Sequence, residues 1–488
     1  MRLPSLPWRL AVAAALAAVS LTGGMSSAAT PQHAQPSSAA TPDLPCDKGS
    51  MPEKIQGRAP LADYNSGRAA KGYFCNAREI SHYGRSGGYR VERYVDKSQH
   101  ECAFYDSTLL YPTSVPVQGP DGVPTGTEGP GVYVMDMSNP AHLVHTDTLR
   151  TPAMQSPHES LRLNQKRGLL VADMGYPTWN PGFVDVYDVS KDCRHPVLDA
   201  SSPVGVLGHE SGFSPDGNTF YVSSLYGHSL AAVDLTNPHL PKLLWATFAY
   251  QPHGVSISND GKTLFMAENP LNKGFSGLTV LDVSQIQERK TNPQVRLVSR
   301  LTWPQVSTPQ NATPFTSHGH HYLLETDEFG SDDHIGAARI IDVQDVRHPF
   351  VVSNMRLAVN QAKAQGPDLE ADPGNSQPFQ GYQGHYCSLP SRVDPYIVAC
   401  SFIMSGLRVF DIRDVRHPRE IAYFNKPVLP GTGETPETAG AFAMSAPAYD
   451  EASHDIWYTD GNSGFYVVRL TKATGITKFA ARVTIPGN

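Results

Sequence analysis

The stretches ARIIDVQDVRHP at 338–349 and GLRVFDIRDVRHP at 406–418 carry the phrase that decides the fold. Each is a β-branched or aromatic run, then Asp, then a short polar turn that closes on Pro. The phrase also reads GVYVMDMSNP from Gly131, FVDVYDVSKDCRHP from Phe183, LAAVDLTNPHLP from Leu230 and GLTVLDVSQIQERKTNP from Gly277. A degenerate copy, GFYVVRL from Gly464, has Arg469 where the others have Asp. The aligned residues Asp136, Asp188, Asp234, Asp282, Asp342 and Asp411 are spaced by 52, 46, 48, 60 and 69, and Arg469 follows 58 later. Six intervals define seven copies.

Each interval has room for four strands. Between Asp234 and Asp282 an outer strand is predicted near 242–248 and an inner strand at 253–258. The turn Asn259-Asp260-Gly261-Lys262 leads to a second strand at 263–267, and a third ends at Asp282. Asn-Asp-Gly, like Ser214-Pro215-Asp216-Gly217 one unit earlier, is a tight-turn signal. The strands are apolar at most positions, as sheets covered on both faces require. No long 3.6-residue pattern supports a helical solenoid. A regular return of one strand phrase implies an all-β chain, a β-propeller of about seven four-stranded blades. A chain of 488 residues, at roughly 150 per domain, would split into three domains, but the repeat argues for one closed ring. Residues 71–130 are expected to form the first blade, with 102–108 (CAFYDST) as one strand, and strands from both chain ends are expected to close the ring.

The phrase resembles the LVIVD repeat, named for its apolar strand before Asp, over roughly 130–470. The stretches PHESLRLNQKRGLL, VGVLGHESGFSPDGNTFYVSS, GHYCSLP and IVACSFIMSGLRVFDIRD are similar to a secreted actinobacterial subfamily of these propellers. The resemblance implies the fold and no agreed reaction.

Residues 1–29 read as a secretion signal peptide. Arg2 and Arg9 precede or open the apolar run Leu10 to Leu21, and Ser27-Ala28-Ala29 offers a cleavage site. The run is too short to span a bilayer, which takes about 20 apolar residues. Residues 30–70 are assigned to a flexible leader, since the Pro, Ser, Ala and Thr of 30–45 cannot bury enough surface to offset ordering. The propeller domain is 71–488. A net charge of −7 without a long basic run gives no support to nucleic-acid binding or stable membrane insertion. Six cysteines in an exported chain are disulfide candidates. Cys387 and Cys400 flank an apparent hairpin and are the expected pair; the connectivity of Cys46, Cys75, Cys102 and Cys193 stays open.

The candidate site is a ring of histidines opening the inner strands: His158, His209, His253 and His385. His209 and His253 precede their turns, Asp216-Gly217 and Asp260-Gly261, by the same seven and eight residues. Inner strands line the central channel, so equivalent positions converge on one channel mouth. The corresponding residues elsewhere are Gln310 or Asn311 in the fifth blade, Met444 or Ser445 in the seventh, and Asn76 in the first. Converging neutral imidazoles suit copper, zinc, iron or nickel, and copper is the first expectation, with iron or zinc as alternatives. Glu159 and Glu210 follow two of the histidines. Adjacent strand residues point to opposite faces, so these carboxylates are expected behind the ligands, fixing tautomers or moving protons. The competing reading is structural: a channel His can simply tie one blade to the next.

His195, His348 and His417, in the RHP turns, are read as turn residues. His318, His320 and His321 are placed in a turn between the first two strands of the fifth blade. The acidic stretch Asp327, Glu328, Asp332 and Asp333 lacks the spacing of an EF-hand loop. There is no GxSxG, no Gly-rich phosphate loop and no HExxH.

The expected function is a secreted metalloprotein, acting as a monomer on a small-molecule substrate as a copper- or iron-dependent oxidoreductase. In architecture it is similar to other propellers with channel-end His sites, the methanethiol oxidases of the selenium-binding-protein type and the iron-dependent carotenoid oxygenases. Fold does not fix function. The alternative is a non-catalytic propeller that binds an extracellular protein or cell-wall glycan through the insertions near 111–130, 361–384 and 426–441. A calcium-dependent lactonase-type hydrolase stands third, because imidazoles do not suit that hard cation.

Overall fold

The Asp of the repeated phrase has one job in every regular copy. At the end of the third strand its carboxylate accepts the backbone N–H two residues on, turning the chain toward the outer strand. The donors are Ser138, Ser190, Thr236, Ser284, Gln344 and Arg413, at 2.7–3.0 Å. In the degenerate copy Arg469 instead grips Asp455 on the neighbouring strand, at 2.7 and 2.8 Å. Each outer strand then pairs through a one-residue register shift, the kind of bulge that increases local twist.

The computed structural model describes residues 35–107, 131–175, 182–204, 208–269, 274–330, 334–364, 366–372, 381–426, 428 and 441–481. Seven antiparallel sheets follow one another. Blade 1 is Val91–Val95, Glu101–Asp106, Val132–Asp136 and Val144–Leu149; blade 2 is Arg162–Asn164, Leu169–Asp173, Val184–Asp188 and Val197–Ser202. Blade 3 is Glu210–Phe213, Thr219–Ser224, Ser229–Asp234 and Lys242–Thr247; blade 4 is Pro252–Ile257, Thr263–Glu268, Gly277–Asp282 and Arg296–Leu301. Blade 5 is Thr308–Ser317, His320–Glu328, Ala338–Asp342 and Phe350–Met355. Blade 6 is Tyr386–Ser388, Ile397–Ser401, Leu407–Asp411 and Arg419–Asn425, and blade 7 is Ala448–Asp450, Asp455–Asp460 and Gly464–Leu470.

The ring closes with strands from the N-terminal part of the chain. Ala77–Tyr83 pairs with Gly464–Leu470 as the outer strand of blade 7, and Tyr73–Cys75 adds a fifth strand to blade 6. This corrects the expected first blade: residues 73–83 serve blades 6 and 7, and blade 1 starts at Val91. The 102–108 strand is found as Glu101–Asp106, the second strand of blade 1. Apolar side chains fill every gap between neighbouring blades. Phe213, Phe220 and Val186 seal blades 2 and 3, for example, and Trp457, Phe465 and Tyr105 seal blades 7 and 1. This is why the middle strands are apolar on both faces.

The expectation of a flexible leader reaching residue 70 is also corrected for its described part. Thr41 bonds to the backbone of Arg356, Asp43 bridges Glu420, and Met51 pairs with Phe74. Glu53 forms a two-bond fork with the fully buried Arg408 of blade 6, at 2.7 and 2.8 Å. Composition missed this because backbone pairing, the Glu53–Arg408 contact and the Cys46–Cys75 disulfide hold the segment together with a few small apolar contacts, such as buried Ala59 and Ala69. The predicted signal peptide lies outside the described residues, as do 111–130, residues 365 and 373–380 of the 361–384 insertion, and most of 426–441. Among the described residues no helix is long and apolar enough to cross a membrane.

All six cysteines are paired: Cys46–Cys75, Cys102–Cys193 and the expected Cys387–Cys400. Cys387 and Cys400 face each other across the inner and second strands of blade 6. Cys102–Cys193 joins blades 1 and 2 across 91 residues. Replacing both of these with Ser is expected to cost about 3 kcal/mol, since a loop of this length gains much freedom when opened. A lower urea midpoint with an unchanged far-UV spectrum would show it.

Candidate metal centre

His209 and His253 stand where the chain enters the inner strands of blades 3 and 4, and His385 where it enters blade 6. His158 precedes blade 2 in a turn, with φ 51°. The four rings meet at one end of the channel. His158 and His209 have centroids 4.4 Å apart, and His209 and His253 5.0 Å. Tyr89 packs on His158 at 4.1 Å and on His385 at 5.4 Å, bridging the gap left by blades 7 and 1. None of the four histidines is more than 6% exposed, so each sits in a medium that penalises uncompensated charge.

Glu159 lies among the rings rather than behind them. Its carboxylate is 3.2 Å from His209 Nε2, 3.6 Å from His253 Nε2, 3.2 Å from His385 Nε2 and 3.9 Å from His158 Nδ1. The strand alternation used for the sequence expectation does not apply here. His158 is left-handed, and Glu159 makes only an isolated bridge to Glu210; the inner strand begins at Arg162. Glu210 turns away. It accepts from Arg90 at 2.9 Å, Arg162 at 2.6 Å and Asn311 at 2.5 Å, one layer further along the channel. Gly254 makes room for it, since a Cβ there would come within 1.8 Å of the Glu210 carboxylate.

Glu328, at the end of the second strand of blade 5, completes the cluster. It approaches His385 Nε2 at 3.0 Å and His253 Nε2 at 3.8 Å. Two groups thus bring three candidate ligand atoms together, His158–Glu159–His209 and Glu159–Glu328–His385. In the sequence Glu328 stands out only as part of an acidic stretch. The available signal was weak, because Asp106, Asp173, Glu268 and Asp460 also end second strands, and Glu268 pairs with Arg300 instead.

Of the other ring positions, Asn311 binds Glu210, while the Gln310 amide is buried without a hydrogen bond. Met444 offers its carbonyl to His385. Asn76 is not in the channel. It closes the N-terminal segment onto blade 6 through Asp47, Pro45 and Ile421, and Tyr89 and Arg90 occupy the place expected for it. Asp327 pairs with Arg339, and Asp332 and Asp333 lie outside the described residues. His348 and His417 are exposed and bond Asp345 and Asp414 within their turns. His318 sits in the turn between Thr308–Ser317 and His320–Glu328, and His320 bonds Asp342.

The tautomers are set by the neighbouring blades. His253 Nδ1 lies 2.9 Å from the Pro309 carbonyl and His385 Nδ1 2.6 Å from that of Met444. Both Nδ1 atoms therefore donate, and both Nε2 atoms face carboxylate oxygens. A neutral Nε2 presents a lone pair, so the contact needs a proton or a cation between the two atoms. Burial pulls the His385 pKa down, but its bonds to Glu159 and Glu328 outweigh that and push it up to about 10. Burial brings His253 down to about 3, against the pull of Glu159. Burial and His209 hold His158 well below the usual imidazole range. Burial pushes Glu159 up, but His209 and His158 hold it well below the usual carboxylate range. The cluster thus keeps an ionised carboxylate among two neutral rings, His158 and His253, and two rings that the carboxylates push toward the protonated form, His209 and His385. A metal ion bound by these nitrogens and oxygens would take the place of those protons.

No family model matches the chain, and no curated protein matches it. Solved structures that resemble it include Kuenenia stuttgartiensis hydrazine synthase, at 14% identity and a TM-score of 0.45 over 74% of this chain and 97% of that one. A putative 6-phosphogluconolactonase from Bacteroides fragilis aligns at 11% identity and 0.44 over 70% and 90%. A Pseudomonas aeruginosa periplasmic gluconolactonase aligns at 14% and 0.44 over 73% and 96%. At these identities and scores they carry no statement about what this chain does.

Proposed function

We propose that this chain is an exported β-propeller metalloprotein whose channel end holds one transition-metal ion, and that it oxidises or reduces a small molecule. The observation that carries this reading is the orientation of His253 and His385. Each ring donates Nδ1–H to a backbone carbonyl and aims Nε2 at carboxylates. His158, His209, His253 and His385, with Glu159 and Glu328, would hold the ion. Two carboxylates beside the imidazoles move the preference from copper toward iron or zinc. Such an ion, when bound, supplies Lewis-acid or electron-transfer chemistry. The chain's own part is to orient the rings through Pro309 and Met444, to exclude water by burial, and to carry compensating charge on Glu159. The likeness to the LVIVD repeat and the signal-like first 29 residues belong to the same reading, and three disulfides fit an oxidising compartment.

Elemental analysis of the secreted protein tests it, beside a His209→Ala, His253→Ala double variant. About one transition-metal atom per chain, absent from a variant that keeps its far-UV spectrum, is the expected result. A metal-free wild type that also fails to bind added iron, copper or zinc would sink this reading and leave a propeller that binds a protein or glycan.

A further inference from the structure

The channel continues beyond Glu210 into a cavity of about 110 Å³ lined by Arg90, Arg162 and Arg392, with Glu92, Thr313 and Tyr449 on its wall. A smaller space beside it is again bordered by Arg162 and Arg392, at the far ends of the inner strands of blades 3 and 4. The histidines open the inner strands; Arg392 lies past the end of the blade 6 inner strand, and Arg90 and Arg162 stand between it and the histidines, on either side of Glu210.

The charges do not balance. Arg90 and Arg162 share the single carboxylate of Glu210. Arg392 is only 8% exposed, and its side chain donates to the Ile257 carbonyl at 2.8 Å. Its buried Nε has no hydrogen bond. Burial and then the like charge of Arg162 lower its pKa to about 9. Glu92 restores neutrality only in part, because burial pushes its pKa up to about 7 against the pull of Arg90 and Arg162. An unpaired guanidinium held out of water is expensive. Arg392 is the unpaired one, and Arg162, whose charge is shared with Arg90 on Glu210, lines the same space. It is large enough for several waters, and the two arginines form a fork-lined seat for planar or tetrahedral oxygens.

We propose that this cavity binds a small oxyanion, of the carboxylate or phosphate type, held by Arg392 and Arg162 and bounded by Arg90. The site is independent of the metal centre and needs no metal to be tested.

Calorimetric titration of the secreted protein with inorganic phosphate and with succinate, against sodium chloride at matched ionic strength, is the experiment. Saturable binding of at least one oxyanion is expected, and the tighter one identifies the source chemistry. Arg392→Met, which keeps an unbranched apolar stem without the guanidinium, should weaken that binding about tenfold or more; Arg392→Lys should recover part of it. The Met variant should unfold no earlier than wild type without oxyanion, because a desolvated charge has been removed, and should lose the oxyanion-dependent rise in Tm. Heat no different from the chloride control at millimolar oxyanion, or equal binding in Arg392→Met, would overturn the proposal. A variant less stable with and without oxyanion, beside a wild type whose Tm ignores oxyanion, would also overturn it by making Arg392 a purely structural tie to Ile257.

Discussion

Glu159→Ala is expected to weaken the metal affinity of the protein by about 100-fold or more, since losing even a hydrogen-bonded partner behind a ligand costs about 10- to 100-fold and Glu159 is itself one of the groups that would hold the ion. Glu159 is the one carboxylate in contact with all four imidazoles, at 3.2–3.9 Å. Its charge offsets that of the ion in a site where no histidine exceeds 6% exposure. Removing it leaves a dication facing neutral rings and Glu328 alone. Glu210→Gln is the control. Its carboxylate faces Arg90, Arg162 and Asn311, so the metal affinity should change little while stability falls. Competition with a chelator of known affinity measures both. Equal losses in the two variants would mean that Glu159 acts only through the fold.

Arg408→Met is expected to destabilise the protein by about 4 kcal/mol, because deleting one partner of a buried pair strands the other charges. Arg408 is wholly buried, with Glu53 in a fork at 2.7 and 2.8 Å, Glu420 at 3.2 Å, and its guanidinium 4.5 Å from the Tyr423 ring. Burial already pushes Glu420 up to about 7, against the pull of Arg408; without Arg408 both carboxylates lose their counter-charge. Adding Glu53→Gln and Glu420→Gln should recover part of the loss, since the stranded charges disappear with them. Urea unfolding gives the energies. Limited proteolysis should report release of the segment around Glu53 before the ring opens; a variant that unfolds with wild-type midpoint would show that the segment does not depend on this pair.

The ring of blades was legible in the sequence because its determinants are local. An apolar run followed by Asp makes a strand and its turn wherever it occurs, and the Asp bonds the N–H two residues on in all six regular copies. The hairpin around 387–400 was legible for the same reason, with its cysteines directly opposite. His209 and His253 could be matched because each keeps the same distance from its own turn.

What the tertiary structure alone decided depends on contacts between residues far apart in the chain. Ala77–Tyr83 goes to blade 7 because that sheet has only three strands of its own, and Tyr73–Cys75, just before it in the chain, pairs on the outer strand of the adjacent blade 6; no local signal near residue 80 distinguishes that from opening a first blade. Glu159 and Glu210 follow histidines in the same His-Glu-Ser triplet, yet one enters the imidazole cluster and the other an arginine pair. A positive φ at His158 reverses the alternation in the first case, and the regular strand from Glu210 preserves it in the second. Strand periodicity is a property of the sequence. Which carboxylate meets which imidazole is a property of the closed ring, because burial and charge pairing are settled only when seven inner strands share one axis.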